Sequence, residues 1–85
     1  MTNTEYKIIA VYDNGGKTFD RYTVYFSHEH SRGMKECLGL SDNPNHPQGF
    51  SQFCGGRLGR HNGKKIPFGT LPQTTQNHVQ MRIAI

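Results

Sequence analysis

The sequence predicts an α+β domain: a small antiparallel sheet, made of an N-terminal β-hairpin plus one or two short strands, with a C-terminal helix packed on one face. Three observations predict this class. Two β-prone runs near the N-terminus flank a glycine turn, and residues that can face a core recur every fourth position near the C-terminus. The third is size, because 85 residues that are 33% hydrophobic supply one thin core, and hence a single domain over residues 1–85.

The hairpin occupies the first third of the chain. Residues 6–12 are rich in β-branched and aromatic side chains and too few for a helix, so they predict a strand. Residues 13–16, Asp-Asn-Gly-Gly, supply the positive-φ positions of a tight turn. Residues 18–26 then alternate between two faces. One face carries Asp20, Tyr22, Val24 and Phe26, and the other carries Phe19, Arg21, Thr23 and Tyr25.

The middle of the chain predicts loops around one short strand. Residues 27–35 are polar without a sustained period, which indicates an exposed loop. Residues 36–41 predict a third strand beside the hairpin, and the prolines of residues 42–49 favour turns. Phe50 and Phe53 follow, and we expect them to anchor this loop to the core.

The C-terminal part predicts a loop followed by a helix. Residues 55–65 hold four glycines and four permanent cations, which is typical of a flexible basic loop. Thr70, Pro72 and Gln73 match a helix start, with Thr70 as N-cap and Gln73 completing a capping box. One stripe of this helix faces the sheet. The stripe consists of Leu71, Thr75, Val79 and Ile83.

Compartment and assembly follow from composition. Two cysteines are too few for a disulfide scaffold and fit a reducing compartment, although one bridge between them is compatible with the sequence. No run reaches the roughly 18 apolar residues of a membrane helix, and residues 1–5 lack the pattern of a signal peptide. We therefore expect a cytoplasmic protein without membrane contact, and the thin core is compatible with a homodimer.

Charge is distributed unevenly along the chain. Residues 1–42 carry five basic and six acidic residues, a net of −1, whereas residues 43–85 carry five basic residues and no acid. The second half therefore predicts an anion-binding surface. The predicted binding residues are Arg57, Arg60, His61, Lys64 and Lys65, and the adjoining loop contributes Asn43, His46, Gln48 and Gln52.

The glycines of the basic loop predict that backbone N–H groups approach a phosphate closely. The spacing matches neither a P-loop nor a dinucleotide fingerprint. Nucleic-acid binding is an alternative, because aromatic side chains near cations can stack on bases. The aromatic candidates are Phe19, Tyr25, Phe50 and Phe53.

Histidines and cysteines raise two further possibilities. Two cysteines and two histidines could together bind zinc, which prefers four sulfur and nitrogen ligands. No Cys-x-x-Cys pair is present to form half of such a site, so we expect no cofactor. The zinc candidates are Cys37, His46, Cys54 and His61, whereas His28 and His30 are expected to be solvated. A minimal phosphoesterase would use His46 or His61 as general acid or base, but the second half offers no carboxylate partner. We therefore favour a protein without enzymatic activity.

Three segments of the chain resemble small uncharacterised proteins of bacteriophages and prophages. They are residues 13–24, 38–52 and 59–71. The resemblance implies a bacterial host cell, and short accessory proteins of phages act by occupying a host protein or sequestering a signalling nucleotide. The resulting hypothesis is a non-enzymatic protein that binds a nucleotide or an acidic surface of a host protein and inhibits a host defence or regulatory system.

Overall fold

Five strands and one α-helix form the described part of the chain, residues 7–18, 20–43 and 51–83 of the computed structural model. The strands are β1 (Ile8–Asp13), β2 (Tyr22–Ser31), β3 (Met34–Leu40), β4 (Ser51–Gly56) and β5 (Lys64–Ile66), and the helix is α1 (Gln73–Ile83). The strands form one sheet in the order β4-β3-β2-β1-β5, and all neighbours are antiparallel. The predicted α+β class is confirmed.

The β1–β2 hairpin is confirmed, including its turn. Gly15 and Gly16 adopt φ values of 78° and 87°, which favour glycine because it lacks a Cβ. The Asp13 carboxylate accepts the Gly15 N–H, and it also pairs with the Arg21 guanidinium, whose Nε lies 2.8 Å from Oδ1. The hydrogen bond from Arg21 lowers the pKa of Asp13. The turn residues therefore also fix the start of the second strand.

The sheet has a helix face and an opposite face. The helix stripe is confirmed, because Thr75 and Val79 are buried and Ile83 packs against the same apolar cluster. The helix-face cluster consists of Val11, Tyr22, Val24, Phe26, Leu38, Leu40, Leu71 and Val79. The opposite face carries a smaller cluster of Ala10, Tyr12, Tyr25 and Cys37, with Cys54 packed against it. The predicted alternation in β2 is thereby confirmed for Tyr22, Val24, Tyr25 and Phe26.

The loop predicted for residues 27–35 is wrong. Strand β2 continues to Ser31, and β3 begins at Met34 after a turn in which Gly33 has a φ of 74°. The extension has polar side chains and register shifts between Tyr25 and Ser31, and these hide the alternation that identifies a strand. His28 and His30 consequently lie on a strand.

The N-cap predicted at Thr70 is also wrong. Thr70 ends a 3₁₀ turn, Phe68–Thr70, and its hydroxyl donates to the carbonyl of Pro67 at 2.7 Å. Leu71 precedes Pro72 and is extended, as the steric effect of a following proline requires. The helix therefore starts at Gln73, after the proline.

The predicted anchors of the loop after β3 differ in outcome. Phe53 lies in β4 and is 42% exposed, so it is not a core anchor. Its ring lies 6.4 Å from that of Phe26, and the Arg82 guanidinium lies 4.8 Å above it. Phe50 and residues 44–49 lie outside the described residues. Within the described part, no helix is long and apolar enough to cross a membrane.

Candidate functional site

The basic residues predicted to bind an anion lie on one connecting segment, residues 57–65, which we call the basic strap. The strap leaves β4 at one edge of the sheet and ends in β5 at the other edge, so it must cross the sheet. It crosses the face opposite α1, where it contacts tyrosines of β1 and β2. The two faces of the sheet are therefore covered by different parts of the chain.

Two buried tyrosines hold the strap in place. The Tyr25 hydroxyl lies 3.0 Å from the carbonyl oxygen of Arg57 and 2.9 Å from Oδ1 of Asn62, and these two acceptors share its single proton. The Tyr12 hydroxyl accepts the N–H of Gly59 at 3.2 Å. Burial raises the pKa of Tyr25 to about 12, so its hydroxyl stays protonated at neutral pH. The flexible loop predicted here is thus an anchored segment.

Asn62 ties the strap to itself. Its side-chain amide donates to the carbonyl oxygens of Arg57 and Gly59 at 2.9 and 3.0 Å. The same residue closes a 3₁₀ turn, Arg60–Asn62, because its backbone N–H donates to Gly59. This turn presents Arg60 and His61 as exposed side chains.

The strap glycines serve the fold, which is a correction to the expected backbone phosphate cradle. The N–H groups of Gly59 and Gly63 already donate to the Tyr12 hydroxyl and to the carbonyl of Arg60. Gly63 has a φ of 109°, and a Cβ at this position would lie 2.4 Å from the carbonyl oxygen of Asp13. Glycine is therefore required at position 63 by the close approach of the strap to β1, and the N–H groups of the two strap glycines are already used within the fold.

The cations of the strap are exposed but do not converge on one point. Arg57 reaches Gly33 of the β2–β3 turn, where its Nη2 would lie 3.6 Å from an added Cβ. Lys64 lies at the other end of the sheet, because it pairs with Asp13, and pairing across β1 and β2 aligns Asp13 with Leu40, the last residue of β3. The seven residues of β3 lie between Gly33 and this end of the sheet, a distance on the order of 20 Å. A single phosphate cannot contact both ends.

Lys64 and Lys65 point to different sides of β5. Ile66 packs on the helix-face cluster, so strand alternation places Lys64 on that side and Lys65 on the strap side. Lys64 also lowers the pKa of Asp13 through its charge, secondary to Arg21. Both ion pairs found among the described residues involve Arg21, so no ion pair there occupies a strap cation. The strap side thus presents Arg57, Arg60, His61 and Lys65.

The predicted adjoining loop is only partly described. His46 and Gln48 lie outside the described residues. Asn43 follows β3, and its N–H donates to the Ser41 hydroxyl at 3.0 Å. Gln52 lies on β4, at the edge opposite Lys65.

The predicted zinc ligands meet only in part. Cys37 and Cys54 face each other across β3 and β4, with Sγ atoms 2.7 Å apart. His61 lies on the strap, and its Nδ1 would be 3.2 Å from a Cβ on Gly59. Within residues 7–18, 20–43 and 51–83, no group of three or more potential metal ligands comes together.

A hydrogen bond between β4 and α1 leaves no signal in the sequence. The Ser51 hydroxyl lies 2.6 Å from Nε2 of His78, and burial together with the charge of Arg82 lowers the pKa of His78. The ring is therefore neutral at pH 7 and joins the helix to the edge strand. No local pattern identifies this pair, because its members are 27 residues apart.

Comparisons of the chain with protein-family models, with curated proteins and with solved structures found no match.

Proposed function

We propose that this protein is a non-enzymatic binding protein that uses the basic strap to engage an acidic surface of another protein. The observation that carries the proposal is the strap itself, an exposed row of cations anchored to two buried tyrosines. Because anchoring limits how much backbone freedom is lost on binding, the strap is pre-organised for a partner.

The spread of the cations favours an extended partner over a mononucleotide. Arg57 and Lys65 lie toward opposite ends of the strap, and the N–H groups of Gly59, Asn62 and Gly63 are engaged within the fold. Side-chain cations on an open face suit several separated carboxylates, and such complementarity mainly raises the association rate and specificity. The resemblance to phage proteins supports a host protein as partner, with inhibition of a host system as the outcome.

A nucleic-acid strand is the alternative, and the described aromatic residues favour it less. Binding of single strands usually combines cations with exposed rings that stack on bases. Tyr12 and Tyr25, which lie under the strap, are buried, and Phe53 contacts Phe26 and Arg82 on the helix face. An acidic protein surface requires charge alone.

The experiment compares two triple variants that remove the same charge. The strap variant removes three exposed cations of the strap side, by Arg57→Ala, Arg60→Ala and Lys65→Ala. The control variant removes three exposed cations elsewhere, by Lys7→Ala, Lys17→Ala and Arg82→Ala. Fluorescence anisotropy measures binding of a labelled polyglutamate peptide, a 20-nucleotide single strand and ATP, at 50 and 200 mM salt. Affinity capture from a bacterial lysate with each variant follows.

We expect the peptide to bind at least tenfold more tightly than ATP, with this binding and capture of an acidic protein lost only in the strap variant. Equal losses of peptide affinity in the two variants would show that binding depends on net charge and not on the strap, and would reject the proposal. Preferential binding of the oligonucleotide, with affinity falling by about 0.7 log units per phosphate contact for each tenfold rise in salt, would establish the nucleic-acid alternative instead.

A further inference from the structure

Two free thiols lie side by side on the face of the sheet opposite α1. Cys37 of β3 and Cys54 of β4 are direct cross-strand partners, and their Sγ atoms are 2.7 Å apart. This separation is about 0.7 Å longer than a covalent S–S bond. Small side-chain movements are therefore enough to join the two sulfur atoms.

The two thiols differ in exposure and in acidity. Cys37 is buried, with 2% exposure, whereas Cys54 lies on the edge strand and is partly exposed. Cys54 lines a surface pocket of about 230 Å³ together with His30, Glu36 and Phe53. A hydrogen bond from Cys37 lowers the pKa of Cys54, while that bond and burial raise the pKa of Cys37. Cys54, the more exposed of the two cysteines, is therefore the one that loses its proton more readily.

We propose that Cys37 and Cys54 form a dithiol–disulfide couple in which Cys54 is the attacking thiol and Cys37 the resolving thiol, oxidised by a low-molecular-weight disulfide. Cys54 lies on the edge strand and is only partly buried, so a small disulfide reaches it more easily than it reaches the buried Cys37. The buried position of Cys37 directs it toward Cys54, the thiol it already contacts.

The reaction proceeds by two exchanges. The Cys54 thiolate attacks one sulfur of the small disulfide RSSR, forms a mixed disulfide and expels RS⁻. Cys37 then gives up its proton, its sulfur attacks Sγ of Cys54, and the second RS⁻ leaves. The two thiolates take up the two protons released by the cysteines, so one RSSR is reduced to two RSH as the protein loses two electrons.

Oxidation closes a loop between neighbouring strands. The bond links residues 17 positions apart, and it fixes edge strand β4 to β3. Restriction of the unfolded chain by a loop of this size raises the melting temperature by roughly 12–24 °C for a domain of this length. Redox state then sets the stability of the folded domain.

The test treats the folded protein with oxidised glutathione, blocks free thiols and determines intact mass. Wild type is expected to lose two hydrogens, resist alkylation, melt higher and recover both thiols in excess reduced glutathione. Cys37→Ala is expected to retain one glutathionyl group on Cys54, and Cys54→Ala to react at least tenfold more slowly.

Several results would overturn the proposal. Two alkylatable thiols in oxidised wild type would show that the couple does not form, and this measurement needs no variant to fold. A disulfide that excess reduced glutathione leaves intact would contradict a reversible couple. Faster glutathionylation of Cys54→Ala than of Cys37→Ala would reverse the assigned roles. Cys37→Ser and Cys54→Ser replace the alanine variants if either fails to fold.

Discussion

Replacing Tyr25 by Phe tests whether buried tyrosines anchor the basic strap. The change removes one hydroxyl from a side chain that is 2% exposed and leaves the ring packed in place. Two acceptors lose a donor, the carbonyl of Arg57 and Oδ1 of Asn62. The Arg57 carbonyl keeps its hydrogen bond from the Asn62 amide at 2.9 Å, whereas Oδ1 of Asn62 loses the hydrogen bond from Tyr25. We expect the free energy of unfolding to fall by about 1 to 2 kcal/mol.

Urea denaturation and hydrogen exchange together measure this effect. The expected loss lowers the melting temperature by about 4–8 °C for each kcal/mol in a domain of this size. Amide exchange at Gly59, Asn62 and Gly63 should accelerate at least tenfold while β3 stays protected, because the strap is released locally. Tyr22→Phe is the control, since Tyr22 is buried in the helix-face cluster. Unchanged strap exchange, or an equal effect of Tyr22→Phe, would refute the anchoring role.

Three further perturbations test other contacts. Gly63→Ala should destabilise the fold by at least about 2 kcal/mol in urea titrations, because the added Cβ would overlap the Asp13 carbonyl and the backbone φ is positive. Gly69→Ala is the control, since open space surrounds Gly69, and it should change the free energy of unfolding by under about 0.5 kcal/mol. Similar values for both variants would contradict this reasoning. The pKa of Asp13 is lowered in the folded state, so ionised Asp13 stabilises the fold fully above its unfolded pKa near 3.8, and this stabilisation is lost as pH falls through the folded pKa. Asp13→Asn should therefore flatten the acid limb of a curve of unfolding free energy against pH. An unchanged limb would exclude a contribution from the pair with Arg21. The pKa of His78 is also lowered in the folded state, so as pH falls through about 6.5 the unfolded chain binds a proton at His78 before the folded chain does. The free energy of unfolding should therefore decline below this pH until the folded pKa is passed. His78→Gln should remove this decline, and a decline that persists in the variant would belong to other groups.

The sheet and the helix were predictable because each is encoded by a short-range pattern. Alternation from Tyr22 to Phe26 identified β2, and the fourfold spacing of Leu71, Thr75 and Val79 identified the buried side of α1. Both patterns reflect burial of one face of a regular element, which leaves its period in the sequence. The prediction failed where polar residues interrupt the period, in the second half of β2.

The candidate site was predictable in composition and not in shape. The excess of cations over residues 43–85 identified the basic strap. Its glycines predict phosphate binding, but the structure shows that Gly63 is required by the close approach of Asp13, a residue 50 positions earlier. Steric contacts of this kind depend on how strands are ordered, and no local pattern reports strand order.

The class of fold, the hairpin turn and the uneven distribution of charge follow from local sequence, since each depends on residues close together in the chain. The path of residues 57–63 across the face opposite the helix follows from sheet topology, because β4 and β5 occupy opposite edges of the sheet. The meeting of Cys37 with Cys54 follows from the pairing register of β3 with β4, which sets which side chains are opposite. Those placements come from long-range pairing, which the packing of the whole sheet selects.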